Sequence, residues 1–394
     1  MDTLGQNLPS RPMLGAAAAL LSVLFLHAAP AAAEGVTKDV EGVEKSVLLP
    51  PGPNNPRNSE GDFITLKDGG ILFVYTHFTG GASDHAAAHL AARVSKDAGR
   101  TWTREDVVVL PNEGKWNVMS VSLLRLADGR IAMFYLQKNS TRDCRPVMRV
   151  STDEAKSWSD ATQIIPDSAV DYYVLNNDRV IQIQSGSHKG RLVVPVAQHS
   201  FDGKDFPPGK IACYLSDDVG RTWQRSSTTL DRDVDGNRVN FQEPGVVELK
   251  DGSLLIFIRT EEGSQYLTRS SDGGKTWTEP RPSEILSPLS PASIERIPSS
   301  GDLLLAWNDH RDVPPNLRKK RTPYAIAVSK DDGRTWTAAK VLEDHPDGWY
   351  CYTAIHFVDD QVLLGHCAGN QTRGRAGLNT TQITRFPVRW LYEN

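Results

Sequence analysis

Residues 270–277 read Ser-Ser-Asp-Gly-Gly-Lys-Thr-Trp, and the pattern Ser-x-Asp-x-Gly-x-Thr-Trp within them decides the fold. The pattern recurs in full at residues 95–102, 216–223 and 329–336, and in altered form at residues 151–158. The altered copy has Ala155 in place of the glycine and Ser157 in place of the threonine. Five copies at intervals of roughly 55 to 65 residues indicate a repeat architecture in which each copy belongs to one supersecondary unit.

Each copy has the chemistry of a tight turn. The Asp carboxylate can accept hydrogen bonds from nearby backbone N–H groups, the Gly can adopt a positive φ, and the Trp can leave the turn to pack inward. Because turn chemistry accounts for every recurring position, we assign the five Asp residues a structural role and not a catalytic one.

A second periodic signal is a turn between two short apolar, β-branched runs, which is typical of a β-hairpin. It occurs six times, at Asp68-Gly69, Asp128-Gly129, Lys189-Gly190, Asp251-Gly252, Ser300-Gly301 and Asp359-Asp360. Six hairpins alternating with the octapeptide turns predict an all-β fold, a six-bladed β-propeller with four-stranded antiparallel blades. The last unit, residues 350–394, has no octapeptide, and we expect it to close the ring by pairing with an early strand at residues 46–49.

The N-terminal residues indicate export. Arg11 precedes a mostly apolar run over residues 14–29, and Pro30 and three small residues follow. This pattern predicts a signal peptide at residues 1–33 and a mature chain, residues 34–394, that forms a single propeller domain in the periplasm or outside the cell. We expect a monomer without a membrane-spanning segment, since no later apolar run is long enough.

The charge balance gives no electrostatic argument for a nucleic-acid partner. Lys and Arg number 44 against 48 Asp and Glu, so the chain is close to neutral. No metalloprotease, nucleotide-binding or dinucleotide-binding motif is present, and we therefore expect no cofactor.

Antiparallel strands determine which loops share an end of the propeller. The starts of each blade's first and third strands, and the loop between its second and third strands, lie at one end, which we call the upper mouth. The candidate site residues at upper positions are Arg57, Asp84, His85, Glu243, Arg259, Arg321 and Tyr352, with Glu60, Arg145, Asn177 and Asp178 as further pocket candidates. Around the turn at Asp251-Gly252, the spacing predicts that Glu243 and Arg259 face each other across the hairpin.

This chain resembles the sialidase (neuraminidase) family of glycoside hydrolases over essentially the whole mature chain. The octapeptides are the Asp boxes of that family's propellers, although such boxes also occur in propellers with other activities. The motif more specific for function is a Glu-Pro followed by an Asp-Gly hairpin and an arginine, here Glu243-Pro244, Asp251-Gly252 and Arg259.

The resemblance implies a role for each of six residues. Tyr352 is the expected nucleophile, Glu243 its base, and Asp84 the general acid and base. Three arginines are expected to bind the substrate carboxylate: Arg57, Arg259 and Arg321. The implied activity is hydrolysis of terminal sialic acid, or a related sugar acid, from an acidic glycan with retention of configuration.

Several assignments stay open at the level of sequence. Arg57 is followed by Asn58-Ser59 and not by the family's usual Ile-Pro, and Tyr352 is followed by Thr353 and not by Ser. Tyr350 lies two residues before Tyr352, so either could be the nucleophile, with Tyr352 preferred. His85 could share the role of Asp84, and two other arginines compete with Arg321, namely Arg311 and Arg318.

The alternatives in function are a glycosidase or lyase for another acidic sugar, and a non-catalytic propeller that binds a glycan or a protein. A binding module could keep the arginines but would not need Tyr352 against Glu243.

Two other patterns were weighed. Asp231, Asp233 and Asp235 imitate the start of an EF-hand calcium loop, but position twelve is Gln242 and no helices flank the segment. We therefore expect no metal site there. Cys351 and Cys367 are spaced to face each other across a hairpin, as a disulfide or as two buried thiols.

Overall fold

The computed structural model describes residues 40–371 and 377–393, and the predicted signal peptide lies outside these ranges. It is an all-β structure of six antiparallel sheets arranged as a propeller, which confirms the predicted fold. The short 3-10 helices include Asp167–Ala169, Gly186–His188, Pro315–Leu317 and Val388–Tyr392. Among the residues described, no helix is long and apolar enough to cross a membrane.

The strands follow the predicted hairpin order along the chain. The edge strand and blades one to three contain β1 (Glu44–Leu49), β2 (Arg57–Thr65), β3 (Ile71–Phe78), β4 (Ala88–Ser95), β5 (Val107–Leu110), β6 (Asn117–Arg125), β7 (Ile131–Ser140), β8 (Asp143–Ser151), β9 (Thr162–Gln163), β10 (Tyr173–Val174), β11 (Ile181–Gln182), β12 (Leu192–Gln198), β13 (Lys210–Ser216) and β14 (Gln224–Arg225). A small hairpin of β15 (Asp233–Val234) and β16 (Asn237–Arg238) follows as a separate two-stranded sheet. Blades four to six contain β17 (Gln242–Glu248), β18 (Leu254–Arg259), β19 (Ser264–Ser270), β20 (Arg281–Leu286), β21 (Ser293–Arg296), β22 (Leu303–Asn308), β23 (Tyr324–Ser329), β24 (Lys340–Glu343), β25 (Gly348–Val358), β26 (Gln361–Asn370) and β27 (Thr381–Pro387).

Ring closure follows the expectation for the sixth unit. Its sheet has the order β1-β27-β26-β25, so the early strand β1 supplies the outer edge of blade six. Ser46 pairs with Ile383 across this junction, and Lys45 donates a buried hydrogen bond to the Leu342 carbonyl at 2.7 Å. The two ends of the described chain therefore lie in one sheet.

The Asp-box turns have the predicted structure. In the copy at residues 270–277, Asp272 accepts hydrogen bonds from the backbone N–H of Thr276 at 2.8 Å and from its hydroxyl at 2.6 Å. The N–H of Gly274 donates to the Ser270 hydroxyl at 2.9 Å, and the Trp277 indole N–H donates to the Gly274 carbonyl at 3.0 Å. Equivalent Asp bonds recur in the other four boxes and close the third strand onto the fourth in blades one to five, so the boxes are structural.

Blade three departs from the regular pattern at the axis. Its inner edge is formed by two short strands, β10 and β11, which both pair with β12. The intervening residues 175–180 leave the ladder and carry Asn177 and Asp178. This interruption places polar side chains among the inner strands of the other blades.

The two other patterns from the sequence have clear structural outcomes. In the segment that imitates a calcium loop, Asp231 and Asp233 accept hydrogen bonds from Arg238. The positive charge next to these two carboxylates is therefore a guanidinium. Cys351 and Cys367 are register partners on β25 and β26, as the spacing predicts, and both are free thiols.

Candidate active site

The site is built on irregularities in the innermost strands. Glu60, Glu243 and Tyr352 each lie in a β-bulge of the first strand of their blade, with φ of 56°, 44° and 56°. A non-glycine residue at positive φ costs about 1–2 kcal/mol and is retained where the surrounding structure enforces it. Bulges of this kind redirect a side chain and are over-represented beside active sites.

Tyr352 and Glu243 meet from different blades. The Tyr352 hydroxyl donates to Glu243 Oε1 at 3.0 Å, and Arg259 Nη1 donates to Glu243 Oε2 at 2.5 Å. The predicted pairing was wrong by one residue, because Arg259 is the register partner of Gln242. The bulge after Gln242 nevertheless brings the Glu243 carboxylate to the guanidinium.

Burial and the neighbouring charges determine which of Tyr352 and Glu243 carries the shared proton. Burial and the neighbouring Glu243 carboxylate raise the pKa of Tyr352. Burial alone would raise the pKa of Glu243, but Arg259 and Arg321 outweigh it and lower the pKa overall. The resting pair is therefore a neutral phenol donating to a carboxylate, which can accept the phenolic proton as the oxygen attacks an electrophile.

Arg57 links two further carboxylates at the mouth. Its Nη1 donates to Asp84 Oδ1 at 2.5 Å, and its Nη2 lies 3.4 Å from Glu60 Oε1. The Asp84 side chain is 59% exposed, on the loop between β3 and β4. Burial opposes ionisation of Asp84, but Arg57 prevails and lowers its pKa. Burial raises the pKa of Glu60 to about 7, with Arg57 opposing the shift.

Arg321 completes the set of three arginines. Its guanidinium carbon lies 5.2 Å from the centroid of the Tyr352 ring and 5.1 Å from that of Trp349. The side chain is buried, yet Nε and Nη1 make no hydrogen bond to any residue that the structure describes. Buried donors of this kind usually have a partner, and a charged guanidinium suits an anionic one.

The alternatives that the sequence left open lie in different surroundings in the structure. Tyr350 packs in the core between blades five and six, with its ring 6.1 Å from that of Tyr324. A spacing of two residues would put Tyr350 and Tyr352 on one face of a regular strand, but the bulge between Cys351 and Ala354 breaks this alternation. Among the arginines, Arg321 alone of the three candidates is buried, whereas Arg318 and Arg311 are exposed.

The remaining candidates lie around or beneath this cluster. His85 is exposed, with its ring 4.6 Å from that of Trp116. Arg145 donates to Asp143 at 2.9 Å and to Asp167 at 2.7 Å, and so belongs to a separate ion-pair group.

Two residues from the interrupted edge of blade three support the bulges. Asn177 Nδ2 donates to the Gly61 carbonyl at 2.9 Å and to the Tyr352 carbonyl at 3.0 Å. Asp178 accepts from the Ile355 N–H at 2.8 Å, and burial raises its pKa to about 6. These bonds tie blades one, three and six together below the site.

Sequence reasoning missed two residues that hold the Asp84 loop. Lys138 Nζ donates to the Asp84 carbonyl at 3.0 Å, and Asn117 Nδ2 donates to the same oxygen at 2.9 Å. Both are buried, and they are register partners on β6 and β7. The available signal was position, since Asn117 begins a first strand and Lys138 lies near the end of a second strand, as Arg259 does.

Comparison with known proteins connects this geometry to a family. The family model described as BNR repeat-like domain matches residues 111–364. The chain is 28% identical over 229 residues to a sialidase of Bacteroides fragilis, covering 55% of this chain and 38% of the relative. It is 27% identical over 322 residues to a sialidase of Micromonospora viridifaciens, covering 73% of this chain and 46% of the relative. The matches thus span less than half the length of these relatives.

Solved structures share the fold. A Dyadobacter fermentans protein of unknown function superimposes with a TM-score of 0.70 at 20% identity, covering 88% of this chain and 100% of that one. The leech intramolecular trans-sialidase gives a TM-score of 0.67 at 16% identity, covering 86% of this chain and 69% of that one. At these identities the likeness establishes the propeller fold. Because the family match spans more than half of the chain, the protein belongs to the family of BNR repeat-like domains.

Proposed function

We propose that this protein is a sialidase-like exo-glycosidase that hydrolyses terminal sialic acid, or a related sugar acid, from glycoconjugates with retention of configuration. The observation that carries the proposal is the Tyr352 hydroxyl held on the Glu243 carboxylate beside the buried guanidinium of Arg321. Sequence similarity to two sialidases supports it.

Substrate binding would use the three arginines, which come from three different blades. A sugar acid carries its carboxylate beside the anomeric carbon, and guanidinium groups bind carboxylates by paired, charge-assisted hydrogen bonds. Arg321 has the free donors to begin this contact, and the charges of Arg57 and Arg259 are partly matched by Asp84 and Glu243.

The choice of a tyrosine nucleophile follows from the charge of such a substrate. A carboxylate nucleophile would be repelled by the substrate carboxylate, whereas a phenol is neutral until its proton is taken. In the first step Tyr352 Oη would attack the anomeric carbon while Glu243 accepts its proton and the glycosidic C–O bond breaks. Water would then cleave the Tyr–sugar bond, and the second inversion restores the original configuration.

Asp84 would protonate the leaving oxygen and then activate water. In the free protein Arg57 holds Asp84 as a carboxylate, so the aspartate must take up a proton and leave this ion pair before it can act as an acid. Its position on an exposed loop allows this movement. The loop is anchored through its backbone by Lys138 and Asn117, which leaves the Asp84 side chain free to change partners.

The setting of the reaction is part of the same proposal. We infer that residues 34–394 form a single mature domain that is exported after removal of residues 1–33, and that it acts as a monomer on sialoglycoconjugates without a cofactor. Recovery of the exported protein with its new N-terminus at residue 34 tests this inference.

The test of the reaction is release of fluorophore from a synthetic α-sialoside. Turnover is expected for the protein and for Tyr350→Phe, whose tyrosine lies in the core. It is expected to fall by at least about 1,000-fold in Tyr352→Phe and Glu243→Gln, since nucleophile and base act as a unit. If the protein turns over only a different acidic glycoside, it is a glycosidase or lyase for that sugar. If it binds the sialoside without turnover, it is a non-catalytic propeller that binds glycans.

A further inference from the structure

Glu60 is a carboxylate at the mouth that the proposed mechanism does not use. It lies eight residues before Asp68, as Glu243 lies eight residues before Asp251, and both residues occupy a bulge at positive φ. Glu60 and Glu243 are thus equivalent positions of blades one and four. The structure therefore places a second glutamate among the site's arginines.

The partner of Glu60 is Arg57, which it shares with Asp84. Glu60 Oε1 lies 3.4 Å from Arg57 Nη2, and the Ser59 hydroxyl donates to Glu60 Oε2 at 3.4 Å. Glu60 is only 6% exposed. Arg57 Nη2 is buried and makes no hydrogen bond within the described part of the chain, so its contact with Glu60 Oε1 is an ion pair at 3.4 Å. One guanidinium thus faces two carboxylates before any substrate arrives.

We propose, on the basis of the proposed function, that Glu60 is a positioning residue that controls anion binding by Arg57: it carries a proton when an anionic sugar occupies the arginines, and in its ionised form it competes with the sugar carboxylate for that guanidinium. Arg57 Nη2, which faces Glu60 but makes no hydrogen bond, is the donor that the sugar carboxylate would take. Asp84 need not carry this proton, because it is exposed on a loop and can move into water.

The surroundings of Glu60 raise its proton affinity relative to an ordinary glutamate. Burial is the main cause that raises its pKa to about 7, so both forms are populated in the free protein. The charged and titratable groups that act on Glu60 or are acted on by it are Arg57, Asp84, Lys138, Glu243, Tyr352 and Cys367. An incoming carboxylate adds negative charge to this set and raises the proton affinity of Glu60 further.

This arrangement has a quantitative consequence. If only the protonated form binds, the apparent Kd is the intrinsic Kd divided by the protonated fraction. For a group that titrates near pH 7, affinity for an anionic ligand should weaken by about tenfold between pH 6 and pH 8. Binding at pH 7 should take up about half a proton per site.

Cys351 could produce the same dependence of anion affinity on pH. Burial would raise the pKa of Cys351, but Cys367 and Arg321 lower it to about 7. A Cys351 thiolate formed above that pH would pair with Arg321 and also weaken anion binding. The experiment must therefore separate Glu60 from Cys351.

The test is calorimetric titration with the sialic acid inhibitor DANA at pH 7, in two buffers of different ionisation enthalpy, which measures proton uptake directly. The protein, Glu60→Gln, Glu60→Asp and Cys351→Ser are compared. We expect the unsubstituted protein and Cys351→Ser each to take up about half a proton per bound ligand. Glu60→Gln should take up none, and Glu60→Asp should recover the uptake. Affinity in Glu60→Gln should change less than twofold between pH 6 and pH 8.

Each other outcome contradicts the inference in a distinguishable way. Binding with unchanged proton uptake in Glu60→Gln would overturn the role of Glu60 and leave the proposed function intact. Loss of uptake in Cys351→Ser alone would assign the proton to the thiol. Failure of all four proteins to bind DANA would overturn both this inference and the proposed function.

Discussion

Arg321 is held at the mouth by ring contacts, and no carboxylate partners it among the residues that the structure describes. Trp349 and Tyr352 flank its guanidinium, and two of its nitrogens make no hydrogen bond. The other two arginines already have carboxylate partners, Asp84 for Arg57 and Glu243 for Arg259. Arg321 should therefore contribute most of the new hydrogen bonding to a bound sugar acid.

Replacing Arg321 tests this at the residue scale. Arg321→Lys keeps the charge but loses the planar pair of donors, and hydrogen bonds to charged groups contribute about 1.5–3 kcal/mol. We expect kcat/KM for an α-sialoside to fall by about 10- to 100-fold, mainly through KM. Arg318→Lys, on the exposed part of the same loop, is the matched control and should have no effect. Equal losses in both variants would contradict the assignment.

Glu60 also predicts a pH dependence of stability that needs no ligand. Its pKa is about 7 in the folded protein against 4.5 for an ordinary glutamate, so the folded state holds more protons between these values. Stability is therefore lost as pH rises through this window and levels off above it. Glu60→Gln removes the effect. The variant should be as stable as the unsubstituted protein at pH 5, and its unfolding free energy should be higher by about 2.5 kcal/mol at pH 8.

Urea unfolding at the two pH values measures this difference. Glu284→Gln, at an exposed position, is the control and should change stability by less than about 0.5 kcal/mol at either pH. A stabilisation by Glu60→Gln that is the same at pH 5 and pH 8 would show that ionisation of Glu60 is not its cause.

The Asp-box turn is the element on which the fold prediction depended. Gly274 has φ of +87°, and a Cβ there would lie 3.1 Å from Leu215 Cδ2. Gly274→Ala should therefore lower the unfolding free energy by about 1–2 kcal/mol, as measured by urea unfolding. Ser271→Ala, exposed in the same turn, should change it by less than about 0.5 kcal/mol. A Gly274→Ala variant as stable as the protein would contradict this account of the repeat.

The inner strands show why the elements were easier to predict than the site. Turns can be recognised in the sequence, because their Asp, Gly and Thr residues satisfy hydrogen bonds and backbone angles within a few residues. No turn motif of this kind marks the bulges at Glu60, Glu243 and Tyr352 in the sequence. Sequence spacing therefore paired Arg259 with Glu243 and not with its register partner Gln242. It also left Tyr350 as an alternative to Tyr352, and it did not include Lys138 among the candidate site residues.

At the scale of the whole molecule, ring closure depends on β1. Without this strand, β27 would present an unpaired edge, which promotes association between chains. A chain that begins at residue 51 should melt at least about 5 °C lower and aggregate at lower concentration.

A synthetic peptide of residues 42–50 provides the control for that truncation. It should restore the melting temperature by adding the missing strand, and a scrambled peptide should not. A truncated chain that stays monomeric with an unchanged melting temperature would show that blade six closes the ring without β1.

The central claim is that Tyr352 attacks the anomeric carbon of a sugar acid bound by the arginines. Incubation with a difluorinated sialic acid, which slows release of a covalent intermediate, followed by peptide mass spectrometry, tests it most directly. We expect one sugar attached to Tyr352 and no adduct in Tyr352→Phe. An adduct on Glu243, Asp84 or Tyr350, or no adduct on a folded protein, would contradict it.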